Sequence, residues 1–409
     1  MTPETEKVSS SWLDALIESV KEAESPIRFF YWAGLVSIAA SIKSNVWIQK
    51  GNIYELFPNI FVLFVAKSGL RKGFPVNVAQ QLVTEVGNTR VIAGRNSIES
   101  IIQDFGTAYT KPEGGPPIVD ATGLIVSDEF SNVIIRNQDA FTLLTEWYDT
   151  HAKKSWKNTL KGSGITHLKN VCVTLLGGLN PTHFADIISY KEVTGGFIGR
   201  CVVVLEKKRS KINALIEDSE EPVFSAVQPA KYLKELSLLK GRFKLDRAAK
   251  DLYKEWYENN RPEEKEDETG SENRIHDTIL KVAMLVALSK KPELVIRRDD
   301  MEEAMTNCLN TLVAVNEITM GSKQEDKSDK SKRKALIGFL LNRPGFKCTR
   351  RVLLQNNYEN FSSFELDKMI DSLSQAGLLV AGVEGSEVVY GLTQILIDRY
   401  KKIEKEVGG

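Results

Sequence analysis

The chain has 409 residues, too many for one compact core, so two or three domains are expected. Hydrophobic residues make up 42% and charged residues 26%, the balance of an ordinary globular protein, and no apolar stretch is long enough to cross a bilayer. Lysine plus arginine (54) equals aspartate plus glutamate (54), which excludes nucleic-acid binding through overall charge; any such contact must come from a local patch.

The amino terminus, MTPETEKVSS, has neither the basic start nor the apolar run of a signal peptide, so a cytoplasmic protein without membrane contact is expected. Cys172, Cys201, Cys308 and Cys348 are scattered, with no CxxC pair and no histidine at ligand spacing. Buried thiols are expected rather than disulfides or zinc.

Residues 11–50 read as helical: Trp12, Leu13, Leu16, Ile17 and Val20 recur at helical spacing, and a second apolar run spans Phe29 to Ile42. From about Asn59 the pattern changes to short apolar runs separated by helical stretches. The runs are Ile60–Val65, Arg90–Ala93, Leu124–Ser127, Val171–Leu176 and Cys201–Leu205. This alternation predicts an α/β fold, a largely parallel sheet with helices on both faces.

The first run leads through Ala66 into Lys67-Ser68-Gly69-Leu70-Arg71-Lys72-Gly73, and a helical stretch follows. A strand, a tight turn of exposed backbone N–H groups, a lysine and a helix N-terminus form a Walker A loop, or P-loop. Its N–H groups cradle phosphate oxygens and its lysine neutralises their charge. Residues Ser68 to Gly73 would hold the nucleotide, with Gly69 permitting the turn and Lys72 as the phosphate lysine. Two positions depart from the motif: Ala66 replaces the usual first glycine, and Gly73 replaces the Ser/Thr that binds magnesium. On the loop alone, a plain surface turn is an equal reading.

The strand Gly123-Leu-Ile-Val-Ser ends in Asp128-Glu129, the form of a Walker B motif. The aspartate would hold Mg²⁺ through water, and the glutamate would polarise the attacking water. Two acids after an apolar strand are common by chance; two acids one strand and one helix beyond a P-loop candidate are much less so. The fourth run ends in Gly-Gly-Leu-Asn180-Pro181, where the amide either holds the lytic water or marks an Asn-Pro turn. Gly195-Gly196-Phe-Ile-Gly199-Arg200 precedes the fifth run. An arginine there either projects into a neighbouring subunit's nucleotide or caps a helix end at the surface.

Between the acidic strand and the fourth run lies a basic insertion, His151 to Lys169, in which Lys153, Lys154, Lys157 and Lys161 are interleaved with Trp156 and His167. Lys161-Gly-Ser-Gly has the small residues of a hairpin tip. The acid-rich tract 212–224 reads as a linker, followed by helices including Ala248–Asn259 and Ile275–Leu288. Residues 321–333 (GSKQEDKSDKSKR) read as an exposed hinge. The last piece predicts helices over Lys334–Leu341, Thr349–Gln355 and Ser362–Ala376, with Phe364, Leu366, Met369, Ile370 and Leu373 on the inward face. A hairpin of Leu378–Val383 and Val388–Leu392 completes a winged helix. Its third helix carries Glu365, Asp367 and Asp371 against Lys368 alone, which argues against groove binding, although Arg350 and Arg351 could touch phosphates.

The order of these motifs resembles the AAA+ arrangement. Residues about 30–310 are similar to the helicase-like P-loop ATPases of phages, prophages and plasmids, often found beside or fused to primases. The phrases that carry the resemblance are FPNIFVLFVAKSGLRKG, GLIVSDEFSNVI, LLTEWYD, VTLLGGLNPTHF, GGFIGRCVVVL and RIHDTILKVAMLVAL. It implies ATP and Mg²⁺, a homo-oligomeric, hexameric ring, single-stranded and forked DNA, and a separate primase or loader. The patterns along the chain divide it into the domains 1–55 (helical), 56–211 (P-loop core), 212–320 (helical lid), 321–333 (linker) and 334–400 (winged helix). In superfamily-three helicases a hairpin at the position of the basic insertion grips single-stranded DNA. The same use here would have Lys154, Lys157 and Lys161 neutralise phosphates while Trp156 or His167 packs on sugar or base. Arg274 would open the lid helix as a second sensor of the γ-phosphate, or face solvent. The expected function is an ATP-driven DNA helicase, and the alternative is a nucleotide-switched initiator that hydrolyses little. Gly73 favours the alternative; Glu129 and Arg200 favour the motor.

Overall fold

The computed structural model describes residues 11–398 except 53, 95–96, 108–119, 131–137, 150–154, 161–163, 183, 185–195, 213–223, 262–268, 358–361 and 386. The chain divides into two compact units, Met1–Thr319 and Met320–Gly409.

The first unit opens with α1 (Trp12–Ser19), α2 (Ile27–Ile42), β1 (Val46–Lys50) and β2 (Tyr54–Leu56). Then come β3 (Phe61–Val65), α3 (Gly73–Val86), β4 (Arg90–Ala93), α4 (Ile98–Gly106), β5 (Thr122–Ser127) and α5 (Gln138–Tyr148). A hairpin of β6 (Ser155–Leu160) and β7 (Gly164–Lys169) precedes β8 (Cys172–Leu179) and β9 (Cys201–Leu205). The remainder holds α6 (Val227–Leu236), β10 (Gly241–Arg242), β11 (Lys244–Leu245), α7 (Arg247–Asn260), α8 (Ser271–Lys290), β12 (Val295–Ile296) and the first part of α9 (Arg298–Leu341), whose last part belongs to the second unit.

The five predicted strands form one parallel sheet in the order β4-β5-β8-β3-β9, so the fold is α/β as the alternation of runs predicts. The central strand β3, FVLFV, is buried along its whole length, as a strand covered on both faces must be. Side-chain alternation divides it between two cores. Val62 and Phe64 join α2, α3 and α8 on one face; Phe61, Leu63 and Val65 join α4 and α5 on the other.

Helix α2 is buried at 13 of its 16 residues, and so serves as a central pillar instead of an amphipathic cover. Its two buried hydroxyls are satisfied within the helix, Ser37 donating to the Ala33 carbonyl (2.8 Å) and Ser41 to the Ser37 carbonyl (2.7 Å). The amino-terminal region is therefore part of the same core as the sheet. It is also not wholly helical: Val46–Lys50 is a strand, paired antiparallel to β2 and parallel to β10. The β-branched Val46 and Ile48 alternate with Trp47 and Gln49 there, a period-2 pattern too short to stand out beside the long helix before it. The region read as a helical lid likewise contains strands, β11 pairing with β12.

The tract 321–333, read as a hinge, lies within helix α9. Its Lys, Glu, Gln and Asp residues are compatible with a helix once flanking turns supply the nucleus, and low hydrophobicity alone does not break one. The second unit has its own core. In it Leu336, Ile337 and Leu340 of α9 meet α10 (Arg350–Asn357) and α11 (Ser363–Gln375), under a sheet of β13 (Lys347–Thr349), β14 (Leu379–Glu384) and β15 (Glu387–Leu392) in the order β13-β15-β14. A capping box of Ser362 and Glu365 starts α11. Leu366, Met369, Ile370 and Leu373 of α11 are buried, but Phe364 is 78% exposed, because it lies two residues, over half a turn, from Leu366 and so falls on the opposite face of the helix. No helix among the described residues is long and apolar enough to cross a membrane.

Candidate functional site

In an open parallel sheet, ligands gather outside the carboxyl ends of the strands. Here β8 lies between β3 and β5, with Val65 opposite Leu179 and Ser127 opposite Gly177, so the three segments that follow these strands leave from one edge. The turn carrying Asp128 and Glu129 folds back over β8, where the Phe130 N–H donates to the Gly178 carbonyl at 2.9 Å. That approach requires a residue without a side chain: a Cβ on Gly178 would stand 2.3 Å from the Asp128 carbonyl oxygen. The glycine pair before Asn180 thus serves to bring the acids to the loop.

The result is an open cleft of about 360 Å³ lined by Ser68, Gly69, Arg71, Lys72, Gly73, Asp128, Glu129 and Arg209. Gly73 begins α3, and a Cβ built on it would lie 3.8 Å from Asp128 Oδ2, an ordinary contact. Lys72 is only 8% exposed, and its Nζ donates to the Ala66 carbonyl at 2.8 Å, folding back over the loop. Burial pushes its ammonium below the ordinary lysine value, and Glu129 and then Asp128 oppose that shift. Leu70 packs against the first core and anchors the turn.

The residue before Lys72 carries a further departure from the motif, which has glycine there. Arg71 adopts φ 56°, a left-handed conformation that costs an L-residue roughly 1–2 kcal/mol. Two contacts hold it: Arg71 Nε donates to Glu24 Oε2 at 2.5 Å, and Ser25 Oγ donates to the Arg71 carbonyl at 2.9 Å.

Asn180 follows β8 at the same edge, but its Oδ1 accepts from the Thr182 N–H (3.3 Å) and hydroxyl (3.2 Å), the local bonds of an Asn-Pro turn. Arg200 stands elsewhere. It precedes β9, whose Cys201 pairs with Phe61 at the amino-terminal end of β3, so a strand length separates it from the loop. Its guanidinium is 9% exposed and bound to Asp149, with Nε at 3.0 Å and Nη2 on the same oxygen, and Nη1 donates to the Gly196 carbonyl at 2.5 Å. Arg274, near the start of α8, lies in electrostatic range of Arg200; burial depresses its guanidinium, and the charge of Arg200 depresses it further. Neither arginine lines the cleft.

In the basic hairpin, β6 and β7 pair antiparallel with Lys157 opposite His167. His167 is exposed, whereas Trp156 is half-buried, its Nε1 donating to Glu146 at 2.9 Å and its ring edge-on to Trp147. Lys154 and Lys161 lie outside the described residues. All four cysteines are free thiols, and Cys172, Cys201 and Cys308 are buried.

Sequence reasoning missed Arg209 and Glu24. The basic run after the fifth strand, LEKKRSK, leaves the sheet at the carboxyl edge where the cleft lies and so carried a signal for Arg209. Nothing in the sequence marks Glu24, which meets the loop only through the fold. No protein-family model matches this chain, and no curated protein matches it.

Proposed function

We propose that this chain is a P-loop ATPase of the AAA+ type that acts, as an oligomeric ring, as a DNA helicase or translocase in the replication of a phage or other mobile element. The observation that carries the reading is the convergence of Lys72 and Gly73 with Asp128 and Glu129 around one cleft at the carboxyl edge of a parallel sheet. These residues come from two separate strand ends, and a chance surface turn does not account for their meeting.

The residues present suit a nucleotide and its magnesium. Lys72, Arg71 and Arg209 offer N–H donors for phosphate, and Asp128, beside Gly73, offers a carboxylate oxygen of the kind Mg²⁺ takes. Asp128 would hold the ion through water, where it would neutralise charge on the β- and γ-phosphates. Lys72 exchanges the Ala66 carbonyl for a phosphate oxygen. Glu129 accepts a hydrogen bond from the attacking water and orients it, and Asn180 serves the same water once Thr182 releases its oxygen. Arg200 acts in a neighbouring subunit, which requires it to exchange Asp149 for a phosphate; Arg274 beside it supports the same charge.

The β6–β7 hairpin is the DNA-gripping element of this reading. Trp156 is committed to Glu146, so the grip falls to Lys154, Lys157, Lys161 and His167. The three helices and three-stranded sheet of the second unit support a winged helix. Its Arg350 is bound in a fork to Asp367 (2.9 and 2.8 Å), which favours a protein contact over duplex DNA.

A second reading, the nucleotide-switched initiator, is favoured by two specific features: Gly73 brings no hydroxyl to the metal, and Arg200 is tied to its own chain. ATP hydrolysis measured with and without single-stranded DNA, beside Glu129→Gln, separates the two. Turnover stimulated by DNA and lost in the variant is expected; nucleotide binding without turnover would favour the switch, and no binding at all would sink both.

A further inference from the structure

Glu24 lies in the segment between α1 and α2, and its side chain is 7% exposed. One of its oxygens takes Arg71 Nε at 2.5 Å and the other takes Arg209 Nη1 at 2.9 Å. The backbone on either side is fastened as well: Ser25 Oγ donates to the Arg71 carbonyl, the Ser210 N–H to the Glu24 carbonyl (3.2 Å), and the Ile27 N–H to Ser210 Oγ (2.8 Å). A short amino-terminal segment therefore staples the loop to the chain that leaves β9.

The chemistry of this staple is unbalanced. One carboxylate serves two guanidinium groups, each of which spends a single N–H on it. The remaining N–H groups of Arg71 and Arg209 meet no acceptor among the described residues, and both side chains line the cleft beside Lys72. They are 61% and 38% exposed, so their free donors face space that a ligand can enter. Arg71, held at Nε, keeps both terminal nitrogens, and Arg209, held at Nη1, keeps Nη2 and Nε; these planar donors suit the oxygens of a polyphosphate chain.

We propose that Arg209 is a ligand of the nucleotide's polyphosphate within its own chain, and that Glu24 is the positioning residue that holds Arg209 and Arg71 at the mouth of the cleft. This assignment rests on the cleft being the nucleotide site. It makes the residues before α2 part of that site, and it supplies an arginine in cis that needs no neighbouring subunit.

The test is displacement of a fluorescent ATP analogue from the purified full chain by ATP and by inorganic tripolyphosphate. Wild type, Lys72→Ala, Arg209→Ala, Arg209→Lys and Glu24→Gln are compared, with circular dichroism to verify folding. Arg209→Ala is expected to weaken both competitors at least tenfold, and Arg209→Lys to recover part of the loss. Glu24→Gln should weaken tripolyphosphate in the wild-type background and several-fold less in the Arg209→Ala background; equal losses in the two would reduce Glu24 to a structural brace and overturn its role. Affinity in Arg209→Ala within twofold of wild type, while Lys72→Ala has lost it, overturns the assignment of Arg209. If wild type binds neither competitor, the nucleotide reading itself has failed and the proposal falls with it. Should Arg209→Ala unfold, Arg209→Gln is judged by the same criterion.

Discussion

Lys72 and Gly73 stand next to each other and make opposite demands on the cleft. Lys72 is nearly buried and bonded to the loop it belongs to, so its charge is poised over the cleft and held by one replaceable acceptor. Lys72→Ala should abolish nucleotide binding, and unchanged affinity by titration calorimetry would remove the P-loop assignment. Gly73 has room for a side chain, with its absent Cβ at 3.8 Å from Asp128 Oδ2. Gly73→Ser should therefore fold normally and place a hydroxyl beside Asp128, where the proposed Mg²⁺ would take it as a ligand. Mg²⁺-dependent turnover is expected to rise several-fold; a fall in turnover would mean that position 73 does not face the metal. Arg71 illustrates a third case, a residue whose left-handed backbone is sustained by Glu24 and Ser25 instead of by the absence of a side chain.

At the scale of elements, the cleft depends on how closely the acidic turn lies on β8. Gly178→Ala would drive a methyl group into the Asp128 carbonyl, and neither strand nor turn has a flexible end with which to yield. A loss of about 1–3 kcal/mol in urea denaturation is expected, with reduced turnover because the acids move from Lys72. A stability equal to wild type would show that the turn is free of β8. Helix α2 supports the same edge from below the sheet, Phe29 stacking on Phe64 with ring centroids 4.4 Å apart. Leu35→Ala, at a fully buried position, should cost about 2–5 kcal/mol. A cost below 1 kcal/mol would contradict the central place of this helix.

At the scale of the whole molecule, the first unit buries a charge that its cores cannot fully accommodate. Lys281 of α8 donates to the Asn59 carbonyl (3.0 Å) and Oδ1 (2.9 Å), and its Nζ lies 3.6 Å from the centre of the Tyr148 ring. Burial pushes its ammonium down from 10.5 to about 8, against the opposing pull of Asp149 and Asp277. Below pH 8 both folded and unfolded chains carry this proton. Between 8 and 10.5 the unfolded chain binds it more fully, so stability rises with pH across that window. Burial also raises the Cys172 thiol to about 12, which acts in the opposite sense above its ordinary value of 9.0. The clean interval is thus pH 8 to 9. Between pH 7 and 9 Lys281 should contribute a rise of about 1 kcal/mol, read as a difference in denaturant midpoint from Lys281→Met. Identical pH profiles for the two proteins would show that Lys281 stays charged in the folded state.

The α/β class and four of the five sheet strands, to within two residues at each end, are legible along the chain. Continuous apolar runs and helical periodicity are local consequences of burial on two faces, and they survive without knowledge of neighbours. The sequence also marked the loop and the acid pair, since a strand followed by Lys72, or by Asp128 and Glu129, is legible along the chain. Short strands such as Val46–Lys50 were not legible, because their pairing partners, including Gly241, lie far away in sequence. The tract 321–333 shows the converse: composition described its polarity but not its conformation. Which residues share the cleft is set by the fold. It brought Glu24 and Arg209 to the loop and bound Arg200 to Asp149, because ion pairs between distant segments depend on where strand order and helix packing deliver each side chain.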